Sequence, residues 1–563
     1  MASATTLRSR RSAGQHLALA GVEREIRTFD QNGRRKYLQD FTQAFRSYQA
    51  TLTTIDVNRA VREADIVLVG DYHALPAAQA FAAQLLSHRA QAGDRPLVLG
   101  IETIFSRDQH ILDEWFRGEI EETELRERIR FDLDWGYDWT PFYQLLRTAR
   151  ECTAGLYGLD CMPREDLRKI GARDRHAADK IAEIRSQHPS VTIMVLFGES
   201  HLAPTHLPEV LRERLPVERT LTVLQNVDAL YWRAAGEKEN VEAVRVDENV
   251  VCVFNATPLE KYENYRLYLE RWRREQGAGP DLGPTMYNLV EGLLRFLNIN
   301  RYSAHNTTQP KFLVDLMPEV YCRESDGMLR RLLSRKGLSD AQKEAMLSRV
   351  EKQGCAYLPS INAFYVRDFH MVHATEEAAR FLHQACRGLP HRSAATRIPS
   401  VAEDLFYCSV IENALGYLGS RILYPSRPAL CEADLHDMYD QTREDIEQET
   451  GLSFTEAIES VDFLLAHRAW EKDGAHRFET PQTLRQAMQR PGATFDYLTT
   501  SLGHLLASDL YDAYLEGRVT RTALRHIFLT HLEQPGEARS AYFSLISKLR
   551  SLKKPCRSES TAP

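Results

Sequence analysis

The sequence predicts an α/β domain with a mostly parallel sheet covered by helices, followed by an all-helical domain. Six short, apolar runs precede residue 260: DIVLVG (65–70), LVLGIE (97–102), GLYGLD (155–160), VTIMVLF (191–197), TLTVLQ (220–225) and NVVCVF (249–254). Helical stretches such as 77–91 and 165–187 lie between them. Strands that are apolar on both faces and separated by helices belong to a parallel sheet buried on both sides. Beyond residue 284 the strand signals nearly vanish and helical periodicity takes over.

Residues 21–62 read as helical, with Tyr37, Phe41, Phe45 and Tyr48 at steps of three and four, and residues 1–60 are grouped as an N-terminal helical extension. The α/β domain is expected over 61–275. It closes on a long amphipathic helix for which Thr257 is the cap and Pro258 the first position. QGAGPDLGP (276–284) has the Gly and Pro content of a linker. The helical domain is placed at 285–555, with breaks at Pro390, Pro425 and Pro491 and one short hairpin around CAYLPSINAFYVRDF. Residues 556–563 form a tail.

At 563 residues the chain exceeds one hydrophobic core, and 43% hydrophobic with 26% charged residues is ordinary for a folded protein. A net charge of −7 gives no reason to expect nucleic acid or an anionic membrane as partner. Nine scattered cysteines with no CxxC pair fit free thiols in a reducing compartment. The N-terminal apolar run LALAGV is too short for a signal peptide, and nothing approaches a membrane span. These readings place the protein in the cytoplasm.

Two predicted strands end alike. DIVLVGDYH finishes in Gly70, Asp71, Tyr72 and His73, VTIMVLFGESH in Gly198, Glu199, Ser200 and His201, and a third strand between them finishes in Glu102. In a parallel sheet all strand C-termini lie on one edge, where ligands bind. Two imidazoles and a carboxylate are therefore expected to converge. Gly70 and Gly198 are expected to turn the chain through a conformation closed to other residues. Two His and one Glu form the ligand set of catalytic zinc and non-haem iron sites. Asp71 and Glu199 suit second-shell acceptors or general bases, and an imidazole beside a carboxylate can also activate water without metal.

Together with LGIETIFSRDQHILDEWFRGEI, FDLDWGYDWTPFYQLLRTAR and GLYGLDCMPRE, these endings resemble the ChaN-like haem-binding branch of the superfamily that also contains Tiki proteases, TraB-like proteins and erythromycin esterases. The resemblance covers roughly residues 60–270 and places the motifs on Gly70, His73, Glu102, Gly198 and His201. It implies an aromatic-rich stretch near the pocket at Trp135, Tyr137 and Trp139, and a further strand end facing the site at Asp160, Met162, Pro163 and Arg164. It also implies haem or iron as a small-molecule ligand, while the ligand set itself suits a divalent metal ion (Zn, Mn or Fe) held by His73, Glu102 and His201. Asp71 departs from the family's usual glutamate. A second departure is the missing lipoprotein signal, because ChaN-like haem proteins are typically exported and lipid-anchored.

The leading expectation is a ligand-binding protein. The first alternative is a metal-assisted or His/Glu-dependent hydrolase (esterase, lactonase or peptidase) using the same residues. The second is a vestigial site, with the helical half binding a protein partner. Elsewhere, His370, His373, Glu376, Glu377 and His383 can be drawn as a metal cluster, but ATEEAARFLHQ reads more simply as a threonine N-cap with acids in a first turn. Leu405, Cys408, Ile411, Leu415 and Leu418 are expected as a core stripe with Glu412 beside it. Ser200 lacks a nucleophile elbow, and Cys161 reads as a small apolar filler.

Overall fold

A computed structural model describes residues 4–29, 36–161, 170–236, 241–271, 281–299, 317–322, 326–334, 340–386, 402–472, 479–490, 492–530, 532 and 534–551. The chain divides into two compact units, one of residues 22–278 and the other of residues 1–21 with 279–563.

The first unit is built on an eight-stranded sheet: β1 (Ala50–Leu52), β2 (Ile66–Asp71), β3 (Leu97–Phe105), β4 (Gly155–Asp160), β5 (Thr192–Gly198), β6 (Thr220–Gln225), β7 (Ala243–Asp247) and β8 (Val250–Val253). Its order is β1-β7-β8-β6-β2-β5-β3-β4. The run β8-β6-β2-β5-β3-β4 is parallel throughout, and β7 and β1 extend it antiparallel at one edge. All six predicted strands are present, and β1 and β7 are additional.

The apolar runs are continuous because alternate residues enter different cores. Val67, Val69, Leu99 and Ile101 join one buried cluster with Leu86, Trp115 and Phe142, whereas Ile66, Leu68, Val98 and Val195 join another with Ile181 and Leu207. Helices Pro76–Gln91 and Trp139–Cys152 supply the first face, and Ile170–Gln187 and Leu207–Arg214 the second.

The crossovers position the site. The chain lays β3 away from β2, adds β4 outside β3, then returns to insert β5 between β2 and β3. Asp71 thereby lies beside Gly198, and Ile101 beside Leu196, so three strand ends meet that are far apart in sequence. The closing helix runs Pro258–Arg271, and the Thr257 hydroxyl accepts from the Glu260 amide at 3.2 Å, as a cap does.

Residues 21–62 are not continuously helical. Helix Lys36–Ala44 stops before Phe45 and Tyr48, β1 follows, and helix Thr54–Glu63 begins behind a Thr53 capping box. Of the predicted linker, residues 276–280 lie outside the described residues, and a helix starts at Gly283.

Among the described residues the second unit is helical except for a small sheet of β9 (Glu319–Cys322), β10 (Cys355–Leu358) and β11 (Ala363–Val366). β10 and β11 form the expected hairpin, turning at Asn362 with φ +48°. Helix Ala402–Leu423 stops ahead of Pro425, while Pro390, Pro491 and the tail lie outside the described residues. Helices Ala402–Leu423 and Ala493–Leu515 pack at Gly503, where an added Cβ would meet the Val410 carbonyl oxygen at 2.8 Å. Gly503→Ala is therefore expected to destabilise this unit by about 1–3 kcal/mol, read as a shift in urea midpoint.

Two expectations for this unit are corrected. Helix Met371–Cys386 begins upstream of Thr375, which is interior, and Glu376 and Glu377 are fully buried rather than solvated. Their charges are met inside, with Glu376 paired to Arg380 and Arg427 at 2.8 Å each. Leu405 is 38% exposed, and its neighbours Phe406 and Tyr407 face the core instead. Glu412 is half-buried and accepts from Gln384 at 2.6 Å. The eight described cysteines are free. No helix among the described residues is long and apolar enough to cross a membrane.

Candidate functional site

His73, Glu102 and His201 do converge at the ends of β2, β3 and β5. Glu102 is 3% exposed; its Oε2 lies 3.4 Å from His73 Nε2, and its Oε1 lies 3.8 Å from His201 Nε2. Each imidazole has its other nitrogen on a buried carboxylate, His73 Nδ1 on Asp71 at 2.7 Å and His201 Nδ1 on Asp174 at 2.6 Å. Asp71 is held in turn by Gln79 at 2.5 Å, and the Tyr37 hydroxyl donates to Asp174. Tyr37 also stacks on His206, with ring centroids 3.6 Å apart.

Arg173 stands among these groups. One guanidinium nitrogen donates to Glu102 at 2.5 Å and to Asp160 at 2.8 Å, a second bonds Asp160, and a third lies 3.5 Å from His201 Nε2. A guanidinium can only donate, so it assigns the acceptor role to His201 Nε2 and the ring proton to Nδ1, facing Asp174. His73 has acceptors on both nitrogens. Burial works to lower its pKa, but Asp71 and Glu102 together raise it to about 9. Burial likewise pushes Glu102 up, yet Arg173 and His73 hold it well below the usual carboxylate range. The site at neutral pH thus sets the His73 imidazolium against an ionised Glu102.

The glycines work differently from expectation. Gly198 has φ −50°, which other residues adopt, and neither Gly70 nor Gly198 is in the left-handed region. Gly198 is needed for close approach: an added Cβ would sit 3.0 Å from Glu102 Oε2 and 3.4 Å from His73 Nε2, while the Gly198 amide donates to Glu102 at 2.5 Å. At Gly70 the space is ordinary. Gly198→Ala should displace Glu102 and cost about 1–3 kcal/mol, whereas Gly70→Ala should cost less; paired urea titrations of the two variants check this.

Trp135 and Tyr137 pack against His73 with centroids at 5.4 and 5.1 Å, near the site as the resemblance implied. Gly136 between them turns at φ +65°. Trp139 instead packs on Phe131 and Tyr143 in the core. Asp160 faces the site and is 0% exposed, its carboxyl raised by burial against the pull of Arg173. Met162, Pro163 and Arg164 lie outside the described residues.

Glu199 does not serve His201. The 3-10 turn Glu199–Leu202 carries it to Lys261, whose ammonium donates to it at 2.9 Å and lies over Tyr72. Burial raises the Glu199 carboxyl against this lysine. The Ser200 carbonyl oxygen accepts from His206, and burial raises the Cys161 thiol, which is thus not set up as a nucleophile.

Sequence reasoning missed Arg173, Asp174 and Tyr37. A signal existed for the first two: the buried face Ala177, Ala178, Ile181 and Ile184 continues one turn back through them.

The three residues expected as a metal-ligand set meet a competing cation here. Among the described residues no group of three or more His, Cys, Asp or Glu is arranged to hold a metal ion. Arg173, a fixed cation, is bonded to the central carboxylate. Haem iron meets the same obstacle, because His73 Nε2 faces Glu102 and His201 Nε2 faces Arg173.

Among solved structures, the chain is similar to one titled "Cofacial heme binding to ChaN of Campylobacter jejuni", at 13% identity, covering 31% of this chain and 86% of that one with a TM-score of 0.25. It is also similar to the type III effector HopBA1, at 13% identity, covering 37% of this chain and 96% of that one with a TM-score of 0.29. No curated protein matches. Residues 57–193, which include His73, Glu102 and Asp160 but not His201, match the sequence model of a family described as haem-binding uptake, Tiki superfamily, ChaN.

Proposed function

We propose that the strand-end cluster is the acid–base centre of a hydrolase that cleaves a small ester, lactone or amide without a metal. One observation supports this above the others: two imidazoles, each oriented by its own buried aspartate, flank the same glutamate, His73 with that carboxylate at its Nε2 and His201 with the Arg173 guanidinium at its Nε2. Groups whose environments set them apart in this way can divide the roles of acid and base. His201 Nε2 takes a proton from the attacking water, and the His73 imidazolium gives its Nε2 proton to the departing oxygen or nitrogen. Glu102 keeps His73 charged, Arg173 keeps Glu102 ionised, and the rings of Trp135 and Tyr137 flank the edge where a substrate meets His73.

The test is a panel of esters, lactones and short peptides assayed after exhaustive chelation. Turnover is expected to survive chelation; turnover that vanishes and returns with zinc, manganese or iron contradicts the proposal.

Haem ligation by these histidines ranks second, on the description of the matched family alone. Hemin added at stoichiometric ratio is expected to keep the Soret band of free hemin, and a shift abolished by His73→Ala would reverse the ranking.

A further inference from the structure

The second unit contains a cavity of about 520 Å³, within the range of small-molecule pockets. Its wall comes from β10 and from helices Asp340–Gln353, Met371–Cys386, Ala402–Leu423 and Ala493–Leu515. Nothing in the sequence reading or the family match accounts for it, since the match ends at residue 193.

Its chemistry is sorted by depth. Arg380, 8% exposed, reaches the wall from a buried cluster in which one of its nitrogens donates to Glu376 at 2.8 Å and another lies 3.0 Å from Glu377. Gly416 makes room for it, because an added Cβ there would meet Arg380 Cγ at 3.2 Å. Arg349 and Lys352, one helical turn apart, line the cavity nearer its mouth. Among the described residues neither has an ion pair or hydrogen bond, which marks them as cations with unused donors. Of the acidic lining residues, Glu412 is engaged by Gln384, Glu344 pairs with Arg330, and burial raises the Asp496 carboxyl, opposed by Arg349 and Lys352. Tyr357, Phe495 and Tyr497 supply apolar ring surface between these charges.

We propose that this cavity binds a small organic anion, with its carboxylate or phosphate group held by Arg349, Lys352 and Arg380 and its body against Tyr357, Phe495 and Tyr497. Arginine and lysine converging from two helices match an oxyanion head group, and the aromatic residues match a ring or short apolar body.

Calorimetric titration of the full-length protein with phenyl phosphate, benzoate and benzylamine tests this, and it is independent of hydrolysis at the strand ends. At least one of the two anions is expected to bind, the tighter one naming the head group, and benzylamine is not. The double variant Arg349→Gln/Lys352→Gln, whose side chains lie outside the core, should bind at least about tenfold more weakly with an unchanged circular dichroism spectrum. Absence of binding by both anions, equal affinity in the double variant, or preference for benzylamine overturns the proposal.

Discussion

Arg173→Met is expected to destabilise the first unit by about 3–5 kcal/mol, because it removes one member of a buried ion pair and leaves its partners uncompensated. Glu102 and Asp160 are 3% and 0% exposed, and both depend on this guanidinium. A methionine of similar length fills the space but neutralises neither carboxylate. Trp115, Trp135 and Trp139 lie in the same core, so urea unfolding followed by tryptophan fluorescence reads the loss. The double variant Arg173→Met/Glu102→Gln should recover part of it, since one stranded charge is gone. A loss below about 1 kcal/mol would mean that the pair behaves like a surface salt bridge and that Arg173 does not organise the site.

Replacing His73 by alanine should lower kcat/KM on a cleaved substrate by about 10²- to 10⁴-fold, the usual contribution of a positioned general acid or base. The same residue gives the protein a pH signature. Its folded pKa is raised to about 9 from an ordinary 6.5, so its contribution to stability is fully present below pH 6.5 and is lost as pH rises through about 9. The shift corresponds to about 3 kcal/mol. Wild type should lose stability across that window, while His73→Gln should not. For turnover, kcat/KM should fall as pH rises through the same value, because the proton donor is lost. Retention of activity in His73→Ala would assign the chemistry elsewhere.

The sheet was legible in the sequence where strands are buried on both faces. β2, β3, β5 and β6 carry mostly apolar residues in continuous buried runs because both sides of the sheet are covered. β1 and β7 were not, since β1 has only three residues and no fully buried one, and β7 is half exposed. The paired endings announced His73, Glu102 and His201 correctly as neighbours. They did not announce what those residues do to one another, because that depends on Arg173 and Asp174 arriving from a covering helix and Tyr37 from helix Lys36–Ala44. Without the guanidinium, two His and one Glu read as metal ligands; with it, the central carboxylate is bonded to a fixed cation. The buried Glu376 and Glu377 show the same limit, since acids following a threonine match a helix start; Arg380 follows on the same helix, but only tertiary packing buries these groups and brings Arg427 to them.

The most direct measurement is the titration of His73 by NMR of imidazole-labelled protein, kept free of metal by chelation and assigned by comparison with His73→Gln. The account predicts a midpoint at about 9 that falls in Asp71→Asn, because the carboxylates that hold the proton are then reduced to one. A midpoint at or below 6.5, unmoved by Asp71→Asn, would mean that His73 is a neutral imidazole at working pH and would contradict the acid–base assignment.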